Sequence, residues 1–183
     1  MKERYGTFAV NRFLALEKLT ENLKDAPLKK RLEEVNDFWN QVRYASDKQV
    51  WHTRDYWASP WEFLAKDKGD CEDYAIAKYF TLKKLGVDTK KMYFIYVVVK
   101  KRREPHMVLG IYEKPNSIPL ILDSINYKIF PASQRQDLLP VYIFNGDTLY
   151  RYRNKSSNNL KNKTQFVKKK WDDLIEKIKR NQI

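Results

Sequence analysis

The chain has 183 residues, 43 % hydrophobic and 14 % aromatic, which suits one packed domain and excludes global disorder. No stretch approaches the ~18 apolar residues of a membrane span, and a single cysteine excludes an intramolecular disulfide or any multi-cysteine metal site. The net charge of +13 would suit an anionic partner, but residues 154–183 carry nine Lys and Arg against three Asp and Glu, so much of the excess is a tail effect.

Residues 7–24 read as an amphipathic helix anchored by Phe8, Phe13, Leu16, Leu19 and Leu23. Pro27 suits the first turn of a second helix, where Leu28, Leu32, Val35, Trp39 and Val42 form one apolar stripe. Residues 46–69 lose periodicity and gather Trp51, Tyr56, Trp57, Trp61 and Phe63, an aromatic loop that can cover a core or line a cleft. A helix from Cys71 to Leu85 ends at Gly86. Strands are predicted at Met92–Val99, His106–Tyr112, Pro119–Asp123, Val141–Phe144 and Thr148–Arg153, with a hairpin turn at Asn145-Gly146-Asp147. Ser156–Thr164 reads as a polar linker and Gln165–Lys179 as a final helix. Helices first and neighbouring strands afterwards indicate an α+β fold with an antiparallel sheet.

The chemistry concentrates at Gly69-Asp70-Cys71-Glu72-Asp73-Tyr74-Ala75-Ile76-Ala77-Lys78-Tyr79. Cys71 opens a predicted helix, where free N–H groups and the helix dipole favour a thiolate and can hold an oxyanion. Most lone cysteines are only small buried hydrophobes, so position alone does not make a nucleophile. The chain has two histidines. His52 lies in the aromatic loop; His106 starts a strand, and Asp123 ends the next one. Adjacent antiparallel strands can set imidazole and carboxylate side by side, ready to serve a cysteine whose helix packs on that sheet.

These residues carry a family likeness. Val35-Asn36-Asp37-Phe38-Trp39-Asn40, Arg43-Tyr44, Asp55 through Leu64, Gly69 through Tyr79, His106 through Leu109, Leu120 through Asp123 and Asp137 through Asn145 resemble the bacterial transglutaminase-like cysteine proteinases, LapG-type periplasmic proteases that cut large biofilm adhesins. Ser59 stands where that family often has Thr, and Ser124 where Asn is common. The resemblance implies a papain-like, transglutaminase-type core with N-terminal helices and the cysteine-bearing helix packed on the sheet. It also implies Cys71 as nucleophile, His106 as base and Asp123 as orienting acid. The opening Met1-Lys2-Glu3-Arg4-Tyr5-Gly6 is too polar for a signal peptide. A periplasmic location is therefore expected with the targeting segment missing from this sequence.

Asp70, Glu72 and Asp73 crowd the thiol and would oppose its ionisation. Bound Ca²⁺ would neutralise them, since clustered oxygen ligands suit a hard cation; the resemblance assigns calcium dependence to the same positions. The expected activity is a calcium-dependent cysteine endopeptidase acting on the N-terminal region of a surface adhesin and promoting biofilm dispersal. By the same resemblance, an inner-membrane cyclic-di-GMP receptor sequesters it. Nucleic acid and stable membrane insertion are not expected. The same triad would equally serve a transglutaminase or deamidase, since only the acyl acceptor differs. From a different class, a non-enzymatic basic protein could use the charge and aromatics on nucleic acid. One catalytic domain is expected over residues 1–153 (helical 1–45, aromatic loop 46–69, catalytic helix 70–86, sheet 92–153), with 154–183 a basic linker and C-terminal helix.

Overall fold

The computed structural model describes residues 2–146 and 160–181. Helix α1 (Lys2–Asn22) breaks at Gly6, whose φ of 77° is open to glycine, and continues as a regular amphipathic helix. Ala9 and Phe13 take its inner face, so Phe8, expected as an anchor, lies one position off that stripe and is 81 % exposed. Helix α2 (Leu28–Asn40) starts directly after Pro27 and buries Leu32, Val35, Asn36, Trp39 and Asn40.

The aromatic segment is more ordered than its lost periodicity suggests. It holds two short helices, α3 (Asp47–Val50) and α4 (Pro60–Lys66). Ser59 caps α4: its Oγ accepts the Glu62 N–H, and the Glu62 carboxylate accepts the Ser59 N–H. Two-residue strands β1 (Arg43–Tyr44) and β2 (Lys68–Gly69) pair in parallel and close the segment into a loop. Helix α5 (Cys71–Lys84) follows, stopped by Gly86 at φ 80° as expected.

Five antiparallel strands form the sheet in the order β6-β5-β4-β3-β7. Strand β3 is Met92–Val99, β4 Glu104–Ile111, β5 Leu120–Leu122, β6 Phe130–Pro131 and β7 Leu138–Phe144. α5 lies on the sheet with Tyr74 through Tyr79 all buried; a helix this enclosed has no polar face to show. The α+β expectation stands. The expected strand at Thr148–Arg153, and Ser156–Asn159 of the expected linker, lie outside the described residues.

The last helix, α6 (Leu160–Asn181), was expected beside the catalytic domain and instead enters its core. Val167, Trp171, Leu174 and Ile178 recur at steps of three and four and are buried in the same apolar cluster as Trp39, Tyr79 and Phe94. The Trp171 ring lies 5.6 Å from Tyr79, 5.8 Å from Phe80 and 5.3 Å from Phe94. Lys177 also donates to the Trp57 carbonyl at 2.6 Å, tying α6 to the aromatic segment. Among the described residues, no helix is long and apolar enough to cross a membrane. Trp171→Ala should cost about 3–5 kcal/mol and lower the melting temperature by roughly 6–20 °C, read by thermal unfolding. An unchanged melting temperature would show α6 to be peripheral.

Candidate active site

Cys71 is the first residue of α5, and the first N–H groups of a helix have no partner within it. The thiol opens into a cleft of about 430 Å³ lined by Tyr44, Asp55, Trp57, Tyr96, His106, Met107, Tyr142, Phe166 and Val167. Four parts of the fold thus meet there: the start of α5, the sheet, the aromatic segment and α6. Tyr96 and Tyr142 stack at 4.9 Å on neighbouring strands and give the cleft a flat aromatic wall. His52 is exposed and does not line the cleft.

His106 and Asp123 are brought together as the strand order predicts. Nε2 of His106 lies 2.6 Å from Oδ1 of Asp123, with both side chains buried. An Nε2–H donated to that carboxylate leaves Nδ1 as the basic ring nitrogen. The other Asp123 oxygen accepts from Arg135 Nη2 at 2.6 Å, and the Ile125 N–H bonds Oδ1 at 3.0 Å. Burial alone would push the Asp123 carboxyl up. The His106 hydrogen bond and charge, the Ile125 N–H and Arg135 outweigh it and hold the group well below the usual carboxylate range.

Arg135 has no signal in the sequence. It follows a short 3₁₀ turn after β6, is 4 % exposed and also grips Asp137 through Nε and Nη2 at 2.9 and 2.8 Å. The Asp123 backbone is held as well: its carbonyl accepts from Asn40 Nδ2 and from Lys78 Nζ, both at 3.0 Å.

The acids around the thiol separate into two groups. Asp70 and Glu72 also line the cleft and meet Asp47 of α3; one oxygen from each lies within 4.8 Å of the others. Asp47 Oδ1 and Asp70 Oδ1 are buried without a hydrogen-bond partner, an arrangement that a cation would satisfy. Asp73, expected with them, turns inward because the third residue of a helix can reach back to its N-cap. Its Oδ1 accepts from Ala58 N–H at 2.9 Å and its Oδ2 from Asp70 N–H at 3.3 Å, with no exposure. Asp47 was invisible to sequence reasoning because it lies 23 residues upstream, outside any ligand spacing.

Packed this closely, the carboxylates repel one another. Burial and repulsion from Glu72 and Asp47 push the Asp70 carboxyl up, and burial and Asp73 do the same to Glu72. Burial, Glu72 and Asp70 together raise the Cys71 thiol well above its ordinary range, and Cys71 Sγ donates to Glu72 Oε2 at 3.2 Å. A divalent ion bound to Asp47, Asp70 and Glu72 would draw that negative charge away from the sulfur.

The chain matches the family described as bacterial transglutaminase-like cysteine proteinase over residues 15–137. Among solved structures it is similar to LapG of Legionella pneumophila, at 40 % identity and a TM-score of 0.81, covering 96 % of this chain and 92 % of that one. The EGTA-treated form of the same Legionella protein aligns at 41 % identity and TM-score 0.81, over 96 % of this chain and 92 % of that one. Its calcium-bound form aligns at 39 % identity and TM-score 0.79, over 96 % and 94 %. No curated protein matches the chain. The Arg135–Asp123 contact can be tested by stability. Arg135→Gln, which leaves a buried carboxylate with less support, should cost about 3–5 kcal/mol in urea unfolding; a loss below ~1 kcal/mol would show that the ion pair carries little.

Proposed function

The chain belongs to the bacterial transglutaminase-like cysteine proteinases, and from that premise we propose that it is a calcium-dependent cysteine endopeptidase using Cys71, His106 and Asp123. One observation carries the reading: His106, held by the buried Asp123 carboxylate at 2.6 Å, lines the same cleft as the chain's single cysteine, itself at a helix start.

In this reading Nδ1 of His106 takes the Cys71 proton, and the thiolate attacks a backbone carbonyl carbon. A C–S bond forms, and the carbonyl π pair moves onto oxygen, near the Cys71 N–H and the positive end of α5. Collapse breaks the C–N bond, and the leaving amine takes its proton from His106. Water then attacks the thioester while His106 accepts its proton, releasing a carboxylate and restoring the thiol and imidazole. Asp123 keeps Nε2 protonated throughout, and Arg135 keeps Asp123 ionised and in place.

Asp47, Asp70 and Glu72 are the proposed calcium ligands, supported by the two unpartnered buried oxygens and by the calcium-bound and EGTA-treated forms of the Legionella relative. When bound, the ion neutralises the carboxylates that otherwise hold the thiol protonated. Backbone carbonyls or waters complete the 6–8 ligands that calcium takes. Asp73 serves as a structural cap. The likeness to LapG extends the proposal to a periplasmic protease that cuts the N-terminal region of a large surface adhesin, so promoting biofilm dispersal, and is sequestered by an inner-membrane cyclic-di-GMP receptor.

Incubation with an adhesin N-terminal fragment, followed by mass spectrometry, tests the reaction: chain cleavage with calcium and none in EGTA is expected. Loss of ammonia with crosslinking would make it an acyl transferase instead. Cys71→Ala should be folded and inert. His106→Ala should lose about 10²–10⁴-fold in kcat, while His52→Ala keeps most activity; the reverse order would remove His106 as base. Calcium at 100 times its Kd should stabilise the wild type by about 2.7 kcal/mol. Asp47→Asn should abolish that gain, whereas Asp73→Asn should destabilise the protein with or without calcium.

A further inference from the structure

Lys78 is a buried cation for which the proposed chemistry has no use. It is 1 % exposed, and among the described residues no carboxylate pairs with its amine. Nζ instead donates to Asn40 Oδ1 at 2.8 Å and to the Asp123 carbonyl at 3.0 Å. Asn40, 5 % exposed at the end of α2, sends its own Nδ2–H to that same carbonyl. Burial pushes the Lys78 amine down to about 7, against the opposing charges of Asp123 and Asp37. The hydrogen bonds do not depend on that charge, because ammonium and neutral amine both have donors for two acceptors.

Location gives these bonds their meaning. Lys78 sits on α5 seven residues after Cys71, two turns and about 10 Å along the same rigid helix. Asp123 follows the last residue of β5 and opens an irregular segment, where no ladder bond with β4 fixes its backbone. Its carboxylate is anchored by Arg135, which itself sits in a loop. The contact with Lys78 therefore ties the acid directly to the nucleophile's helix. A buried amine is expensive to desolvate, and a methionine of similar length would fill the space without that cost.

We propose that Lys78, assisted by Asn40, is a positioning residue that sets the distance between Cys71 and the His106–Asp123 pair by holding the Asp123 backbone on α5. This rests on the protease reading above. Lys78 touches neither substrate nor sulfur; it acts through Asp123, whose orientation fixes the imidazole. A misplacement of about 1 Å in such a constellation costs on the order of a hundredfold in rate.

The test compares wild type with Lys78→Met and Asn40→Ala by three measurements: thermal unfolding, kcat and KM on a cleaved fragment, and the pH profile of Cys71 alkylation by iodoacetamide. For Lys78→Met, kcat should fall about 10–100-fold with KM within about threefold of wild type, a displaced alkylation midpoint and an unchanged calcium shift in melting temperature. Asn40→Ala should move the same quantities in the same direction by less. A folded Lys78→Met with lower melting temperature but wild-type kcat and alkylation profile would reduce Lys78 to core filler and overturn the proposal. If Lys78→Met does not fold, Asn40→Ala decides: wild-type kcat and profile overturn it, a shared loss upholds it. If the wild type cuts nothing, the protease reading fails separately. The alkylation profiles then still decide whether Lys78 links the acid to the thiol.

Discussion

Everything at this site turns on the first helical turn of α5. The four side chains from 70 to 73 part three ways: Asp70 and Glu72 toward Asp47, Cys71 into the cleft, Asp73 into the core. Residues 71–73 part because a helix spaces neighbours by about 100°, while Asp70, the N-cap with extended backbone, can join Glu72. What fixes it is the Asp73 carboxylate, fully enclosed, bonded to its own N-cap and to Ala58 of the aromatic segment. Gly69 makes room for this: a Cβ there would lie 2.3 Å from Asp73 Oδ2 and 2.7 Å from the Phe63 ring. Any side chain at 69 would have to displace the carboxylate or the ring behind it.

The acid is secured just as firmly. Asp123 meets His106, Arg135 and the Ile125 N–H through its carboxylate, and Asn40 and Lys78 through its carbonyl. These partners come from α2, α5, β4 and the segments after β5 and β6, so the residue ties the helical layer to the sheet at one point. Buried carboxylates survive only when so well satisfied. The metal corner is the opposite case. There, among the described residues, Asp47 Oδ1 and Asp70 Oδ1 are buried without a hydrogen-bond partner.

The parts legible in the sequence were those with local signals. Met92–Val99 reads as a strand from its β-branched and aromatic run and is one, residue for residue. His106 and Asp123 meet because neighbouring antiparallel strands bring their ends together. Asp47, Arg135, Asn40 and Lys78 gave no such signal, since each joins the site through tertiary contacts at a distance that no spacing rule encodes. Strands β1 and β2 are two residues each, below the length at which alternation can register. For α6 the apolar stripe was present in Val167, Trp171, Leu174 and Ile178, but its excess of lysines on the outer face made it look like a solvated tail.

The placement of α6 also bears on biosynthesis. Chains emerge N-terminus first at roughly 5–20 residues per second, so the 27 residues from Phe144 to Trp171 take about one to five seconds to appear after the sheet is complete. During that interval Tyr79, Phe80 and Phe94 lack the indole that covers them, and the cleft lacks its Phe166 and Val167 wall. The thiol, imidazole and carboxylate are then all translated, yet the groove that would present a polypeptide to them is unfinished. The groove beside Cys71 is therefore the last part of the fold to be completed, because its Phe166 and Val167 wall arrives with the final helix.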